Sequence, residues 1–404
     1  MNAPGVQHRG FATRTEPRNT SRSFSFFFLF LFFALSSAWG VDSSRHISQY
    51  GHTAWRIQDG VFSGAPNAIA QTTDGYLWIG TQNGLIRFDG VRFVPWVPLK
   101  GKLLSSGIFS LLAGTDGGLW IGTSTNLAHL QNGILTNYLD ADGRVNSIVQ
   151  GHDGRIWITR SRVHDDKGPL CEVKGPSLRC HGKADGIPSP YAVPLAEDSE
   201  GNLWIGSVNL LIRWRAGSST VFTPSGTRSG EGLSGFQAIA SDPDGSIWSG
   251  MDRRGPGQGL QRWLHGVRKP INPTLSESAL QVSALFLDHE NTLWIGTQDQ
   301  GIYRLNGDKV DQFSSADGLS SDTVNGFYED HEGNIWIATT EGIDCFRNIR
   351  VTTFSTRQGL SANLVDSVLA ARDGTIWIGN HGALGSLPAG GAFLRWLRHY
   401  GSRK

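Results

Sequence analysis

Eight tryptophans set the frame within which this chain can fold. Trp78, Trp120, Trp157, Trp204, Trp248, Trp294, Trp336 and Trp377 recur at intervals of 37 to 47 residues. Each follows an acid, a Gly or Asn, one variable residue and a Leu or Ile. Past roughly its first forty residues the chain is therefore one unit repeated. A period in the forties with strand-like content is the mark of a β-propeller.

The cleanest copy spans 318–355 and shows why the unit must stack. A short strand at 323–329 (TVNGFYE) leads into a turn made of Asp330, His331, Glu332 and Gly333, residue types that suit turn dihedrals. A continuous apolar strand follows at 334–339 (NIWIAT), then a third at 342–347 and a fourth at 351–355 (VTTFS). Side chains alternate along a strand, so Ile335 and Ile337 face one side and Trp336 and Ala338 the other. Both faces need cover, and one blade cannot supply it alone. The tryptophans are expected in the core between blades, not stacked on sugars. The small residue two places after each (Gly80, Gly122, Gly206, Gly250, Gly296, Gly379, with Ala338 and Thr159 as variants) is expected to make room for the indole of an adjacent blade.

The ends of the chain bear on blade number. Residues 52–61 (HTAWRIQDGV) align with 310–319 and 351–360, which are fourth strands leading into a next blade. An outer strand supplied by the N-terminus can pair with the last blade and remove the exposed edges of an open stack. In repeat eight, Asn380 stands where Thr or Ser is usual, 382–387 makes a degenerate third strand, and 389–404 holds no clear fourth strand. Seven closed blades with an incomplete eighth repeat are expected; eight blades are the alternative.

With 52 glycines, 14 tryptophans and 18% charged residues in 404, the chain is turn-rich and all-β. Its net charge of +1, with no basic run in the repeats, speaks against nucleic acid as a partner. At the N-terminus Arg9, Arg14, Arg18 and Arg22 precede an apolar run at 24–35 (FSFFFLFLFFAL) and small residues up to Ala38. This pattern reads as a secretory signal peptide cut after Ala38, with an uncleaved anchor as the alternative. No other stretch is long and apolar enough to cross a bilayer as a helix, so export as a soluble propeller is expected. The expected organisation is a signal peptide over 1–38, a propeller over 45–355 closed by its N-terminal strand, and an incomplete repeat with a non-matching tail over 356–404.

Chemistry-bearing motifs are scarce. The histidines show no metal-ligand spacing, and HExxH, CxxC and Gly-rich phosphate loops are missing, so no metal or cofactor is expected and no catalytic set emerges. The acids Asp74, Asp116, Asp153 and Asp373 recur at one turn position and are expected to tie their own turns. The Asp box of sialidases separates acid and glycine by one residue, whereas here they are adjacent. Cys171 and Cys180 flank a hairpin centred on Gly175 and Pro176 and would lie opposite each other, either as a disulfide or as two buried thiols; Cys345 reads as a small core residue.

Specificity in a repeating scaffold resides where the repeats differ. The loop between second and third strands is lengthened in repeat three (160–169) and repeat five (251–258). These loops share a ring face with the blade-to-blade connections. They bring Arg160, Arg162, His164, Asp166, Asp252, Arg253 and Arg254 towards one entrance, the expected ligand-binding set.

The segment 54–93 (AWRIQDGVFSGAPNAIAQTTDGYLWIGTQNGLIRFDGVRF) resembles the opening of the two-component regulator propeller proteins, and 318–339 (GLSSDTVNGFYEDHEGNIWIAT) resembles their repeat. The resemblance covers nearly all of 50–387. It implies the periplasmic sensor propeller of a membrane histidine kinase, hybrid regulator or diguanylate cyclase, with carbohydrate sensing known for some members. It carries over no ligand residues, because the repeat motif does not fix them. A second complete ring, an Ig-like sandwich, a following transmembrane helix and an output domain are not in this sequence, so it matches only the N-terminal sensor part and cannot itself phosphorylate. The reading is a non-enzymatic sensor for an oligosaccharide or other small ligand, coupled to a membrane signalling partner or to missing output domains. The alternatives are an exported hydrolase or lyase acting on polysaccharide, for which His164 with Asp166 is the one local pair to nominate, and a truncated receptor remnant or interaction scaffold.

Overall fold

The computed structural model describes residues 45–140, 143–161, 167–223, 235–275, 279–349, 354–356, 360, 362–380, 383–387 and 394–397. All of them belong to one compact unit, Ala38–Lys404. The regular structure among them is antiparallel strand with a few short 3-10 turns.

Six blades are complete in chain order, each with its first strand innermost. Blade one comprises Pro66–Gln71, Leu77–Thr81, Gly84–Phe88 and Phe93–Pro95. Blade two is built from Ile108–Ala113, Leu119–Thr123, Leu127–Gln131 and Ile134–Tyr138, and blade three from Arg144–Gln150, Ile156–Ser161, Leu170–Lys174 and Ser177–His181. Blade four contains Leu195–Glu197, Leu203–Gly206, Leu211–Arg215 and Ser218–Phe222, and blade five Phe236–Ser241, Ser246–Met251, Leu260–Leu264 and Val267–Lys269. Blade six runs through Val282–Leu287, Leu293–Thr297, Ile302–Asn306 and Lys309–Phe313.

Blade seven takes three strands from its own repeat, Val324–Glu329, Ile335–Thr339 and Gly342–Arg347, and its fourth from the start of the propeller. Gly51–Arg56 pairs with Gly342–Arg347 residue for residue, from Gly51 opposite Arg347 to Arg56 opposite Gly342. One strand edge can be paired only once. The segment 351–355, expected from the sequence as this blade's outer strand, therefore finds that place taken; residues 351–353 lie outside the described residues.

Side chains weld this closure. Trp55 stacks on Trp336 at 5.5 Å, and His52 stacks on Phe346 at 4.8 Å with its Nε2 2.7 Å from Asp344 Oδ1. Asp344 is fully buried and also accepts the Ser320 amide and hydroxyl, so a carboxylate that would be costly to bury alone is satisfied on several sides. Upstream, the buried Arg304 guanidinium donates to the Tyr50 hydroxyl, the Arg45 carbonyl and the Asp311 carboxylate.

Seven apolar clusters show that the ring is complete, because each joins one blade to the next and the last joins blade seven to blade one. Every cluster contains one repeat tryptophan, from Trp78 to Trp336, none more than 6% exposed. The indole faces the following blade, as in the cluster that sets Trp78 against Ile108, Leu119 and Ile121. Truncating such a side chain typically costs ~3–5 kcal/mol. The chain is thus an all-β propeller of seven closed blades.

The glycine two residues after Trp has a different neighbour from the expected one. A Cβ on Gly80 would meet Ile108, on Gly122 Val145, on Gly206 Pro194 and Phe236, on Gly250 Val282, and on Gly296 Val324, all within 2.2–2.8 Å. The space is used by residues at the start of the next blade's innermost strand, mostly β-branched, joined at Gly206 by Pro194 of its own blade, and not by an indole. The inner strands crowd most tightly near the ring axis, where the backbones converge.

The turns hold two kinds of acid. Asp116, Asp153 and Asp373 accept the backbone N–H two residues on, at 3.0, 3.0 and 2.9 Å, and so close their own turns. A second acid, two places earlier, accepts the indole N–H: Trp204 on Asp198, Trp248 on Asp242, Trp294 on Asp288 and Trp336 on Asp330, at 2.6 to 3.1 Å. Burial pushes the Asp288 carboxyl above the usual carboxylate range, against the pull of the Trp294 and Thr292 N–H groups.

The eighth repeat forms a four-stranded sheet of Ser367–Ala370, Ile376–Asn380, Ala383–Leu387 and Leu394–Leu397. The stretch after 389, read from the sequence as lacking a clear fourth strand, thus supplies one that pairs with Ala383–Leu387. This sheet enters none of the seven clusters and exposes Val368 at 64% and Leu369 at 65%.

Gly296→Val tests the inter-blade packing. Its Cβ would lie 2.6 Å from Val324 Cγ1 and 2.9 Å from Val324 Cβ. Overpacking of this kind costs ~1–3 kcal/mol, read as a lower denaturant midpoint at an unchanged slope.

Candidate functional site

The two rims of the ring differ in what the sequence places on them. The first residue of an inner strand pairs with the last of the second strand, as Pro66 does with Thr81. One rim therefore carries the blade-to-blade connections together with the loops between second and third strands. The opposite rim carries the acid turns.

On the connection rim, six of the seven inner strands slip register by one residue at their start. The extra residues are Asn67, Phe109, Asn146, Gln237, Ser283 and Asn325. A bulge re-aims the side chain it inserts. All six are half-exposed while their strand neighbours Pro66, Ile108, Val145, Phe236, Val282 and Val324 are buried.

Several of these side chains reach sideways to the next inner strand or, for Asn146, to the link just before it. Asn67 Nδ2 donates to Ile108 O (2.8 Å), Asn146 Nδ2 to Ala192 O (2.7 Å), Ser283 Oγ to Val324 O (2.6 Å) and Asn325 Nδ2 to Pro66 O (2.7 Å). Between blades two and three, Ser110 Oγ donates to Val145 O at 3.3 Å. The result is a belt of donors clasping carbonyls around the mouth of the ring. Among the described residues, the Oδ1 atoms of Asn67 and Asn325 accept no hydrogen bond. Phe109 lies under the Arg144 guanidinium, 3.8 Å from its centroid.

The structure sorts the candidate residues read from the sequence. Arg162, His164 and Asp166 lie outside the described residues. Arg160 is fully buried and donates Nε to Gly168 O at 3.0 Å, so it braces the lengthened loop and is not presented to a ligand. Asp252 accepts the Gly235 amide at 3.0 Å and Gln237 Nε2 at 3.2 Å, which fixes the start of the inner strand of blade five. Arg254 is spent on both oxygens of Asp299 at 2.7 Å and on Ala279 O, a tie from blade five to blade six. Arg253 is half-buried, and among the described residues it makes no hydrogen bond or ion pair. Of the expected set, the described part therefore leaves Arg253 as the cation available at the mouth, next to a bulge ring that no sequence pattern announced.

The opposite rim offers clefts between blades. Those between blades five and six and between one and two measure 570 and 350 Å³, and those between three and four and between seven and one 270 and 260 Å³. The larger pair sits where the outer strand has only three residues, Val267–Lys269 and Phe93–Pro95; the smaller pair sits beside outer strands of five and six. A short outer strand leaves its neighbour's flank uncovered. In the cleft between blades five and six, Arg262 is paired, 5.1 Å above the Trp248 ring and bonded to Asp244.

Histidine–carboxylate pairs occur, but each holds structure. His152 Nδ1 and its amide both meet Glu197, and His289 meets Glu329 in the same way, bridging adjacent blades. His181 is buried against Trp214 and Trp157, and its partner Asp185 accepts the Gly182 amide. Among the described residues no group of three or more His, Cys, Asp or Glu side chains could hold a metal ion.

Cys171 and Cys180 stand directly opposite in the hairpin whose turn is Gly175 (φ +56°) and Pro176, and they are joined by a disulfide. Burial pushes the Cys345 thiol up to about 12.

The family described as "Two component regulator propeller" matches residues 60–83, 186–209 and 318–341, each a connection, an inner strand, an acid turn and a tryptophan strand. Among solved structures, an extracellular domain assigned to a hybrid two component system of B. thetaiotaomicron is 21% identical with a TM-score of 0.68, over 87% of this chain and 49% of that one. Another from the same organism is 17% identical with a TM-score of 0.60, over 88% and 48%. Virginiamycin B lyase from Staphylococcus aureus is 17% identical with a TM-score of 0.57, over 74% of this chain and all of that one. The chain spans about half the length of the two B. thetaiotaomicron domains. No curated protein matches it.

Thiol counting checks the cysteine chemistry. Without reductant the native propeller should react with no alkylating reagent, and the unfolded chain should expose one thiol, Cys345.

Proposed function

Because the chain belongs to the two-component regulator propeller family, we propose that it is an exported sensor propeller of a two-component-type receptor, with its ligand site at the connection-rim mouth. The ligand class is an oligosaccharide or another small hydroxyl-rich molecule. Bound ligand is relayed by contact with a membrane signalling partner or with output domains outside this chain. The observation that carries the reading is the bulge ring: half-exposed amides with open acceptors, the Phe109–Arg144 pair and Arg253 converge on one rim. Amide acceptors order sugar hydroxyls, and an aromatic ring face suits the apolar face of a pyranose.

Export is supported by the basic and apolar pattern before Ala38, which lies outside the described residues, and by the disulfide, a bond that persists in oxidising compartments. Among the described residues no helix is long and apolar enough to cross a membrane. The likeness to virginiamycin B lyase is one of fold.

Calorimetric titration of Ala38–Lys404 with a glycan panel is the test. At least one glycan should give a saturable isotherm, weakened about tenfold, or ~1.4 kcal/mol, by Phe109→Ala and by Arg253→Ala at unchanged melting temperature. A folded sample that gives no heat across the panel, or equal affinity in both variants, contradicts the proposed site.

A further inference from the structure

The outer rim of blades one and two breaks the pattern of the other links. After Phe93–Pro95 the chain does not pass straight to the next inner strand. It lies down along the outer strand of blade two instead: the Leu99 amide donates to Gly133 O (3.0 Å), Lys100 O accepts the Leu135 amide (2.9 Å), and Lys102 O accepts Asn137 Nδ2 (3.0 Å). Trp96 and Leu103 anchor the segment inward, with Trp96 edge-on to Trp78 at 5.4 Å. The backbone is held, yet aliphatic side chains along it and in the turn before Phe93 stand exposed: Val91 is 81% exposed, Val97 79% and Leu99 88%, with Val94 and Ile134 about half exposed. Single exposed aliphatics are ordinary, but several on one anchored strip are not.

Cations frame this strip. Arg92, Lys100 and Lys102 are exposed, and Lys100 and Lys102 form no ion pair among the described residues. The nearby Asp89 is turned back onto the Val91 and Arg92 amides, which hold its carboxyl below the usual range, with the Arg92 amide the stronger influence. Exposed aliphatic side chains interleaved in sequence with exposed cations match one surface in particular. A bilayer offers apolar depth beneath anionic headgroups, and neither component alone holds a protein firmly.

We propose that the strip Val91, Val94, Val97 and Leu99, with Arg92, Lys100 and Lys102, docks the propeller edge-on to an anionic lipid surface. Docking there leaves the connection-rim mouth open, so it is independent of the ligand reading.

The probe is sedimentation of Ala38–Lys404, which closes as its own ring and lacks the apolar run at 24–35, with vesicles of phosphatidylcholine or of phosphatidylcholine and phosphatidylglycerol at 3:1. Binding is expected to the anionic vesicles, to weaken with salt, and to fall roughly tenfold both in Val97→Ser with Leu99→Ser and in Lys100→Glu with Lys102→Glu. Equal binding to both vesicle types, no binding, or binding unchanged in both variants overturns the proposal. So does self-association that the Val97→Ser, Leu99→Ser variant abolishes in the absence of vesicle binding, which would assign the strip to a second copy. Should a variant melt early, an environment-sensitive dye on Val97→Cys reads insertion directly. A blue shift on anionic vesicles supports docking, and an unshifted spectrum overturns it.

Discussion

The pairing of Gly51–Arg56 with Gly342–Arg347 is the contact on which the other features of this propeller rest. A blade with two apolar faces cannot end a stack without leaving one face in water, so a stack of such blades must return on itself. Here the return is hydrogen-bonded along six residue pairs and reinforced by the Trp55–Trp336 stack and the buried His52–Asp344 contact. The eighth sheet is the internal contrast. It has the same four strands, but among the described residues it enters no shared cluster, and Val368 and Leu369 stand in solvent.

Closure also creates the candidate site. Once the inner strands are drawn together, the close Gly–Val and Gly–Ile approaches fix their spacing, and at the connection rim six of the seven strands insert one residue. Asn67, Asn146, Ser283 and Asn325 clasp carbonyls of the next blade or of the link just before it, and with Phe109 and Gln237 they leave a half-exposed ring around the mouth. The opposite rim is stiffened differently, by acids that bind the indole N–H, and its charges are consumed in doing so. Two rims made from one repeat thus differ in available chemistry.

Most of the fold could be read from the sequence, because the tryptophan period is forced by burial and burial leaves a strong signal. The N-terminal strand was recognisable by its alignment with other fourth strands. Residues 351–355 carry the same pattern, however, and strand pattern alone does not say which of two candidates wins an edge. The partner of the small residue after Trp was misjudged because spacing gives the face a side chain points to, not the neighbour across it. Arg160 reads as a ligand residue because a lengthened loop suggests exposure, yet its side chain is fully buried and bonded to Gly168 O. The bulge ring left no trace, since Asn, Phe, Gln and Ser share no chemistry and are united only by register. The indole ties do leave a signal in the sequence: an Asp stands six residues before each of Trp204, Trp248, Trp294 and Trp336.

Native-state hydrogen exchange of Ala38–Lys404 tests the closure most directly. If the first strand completes blade seven, the amides of Gly51–Arg56 that face Gly342–Arg347 exchange only through global opening, with protection equal to that of Ile335–Thr339 and Leu293–Thr297, while the outward-facing amides of this edge strand exchange fast in either case. Fast exchange of the inward-facing amides of Gly51–Arg56 while those central strands stay protected would contradict the account, because it would show a ring that stands without its first strand.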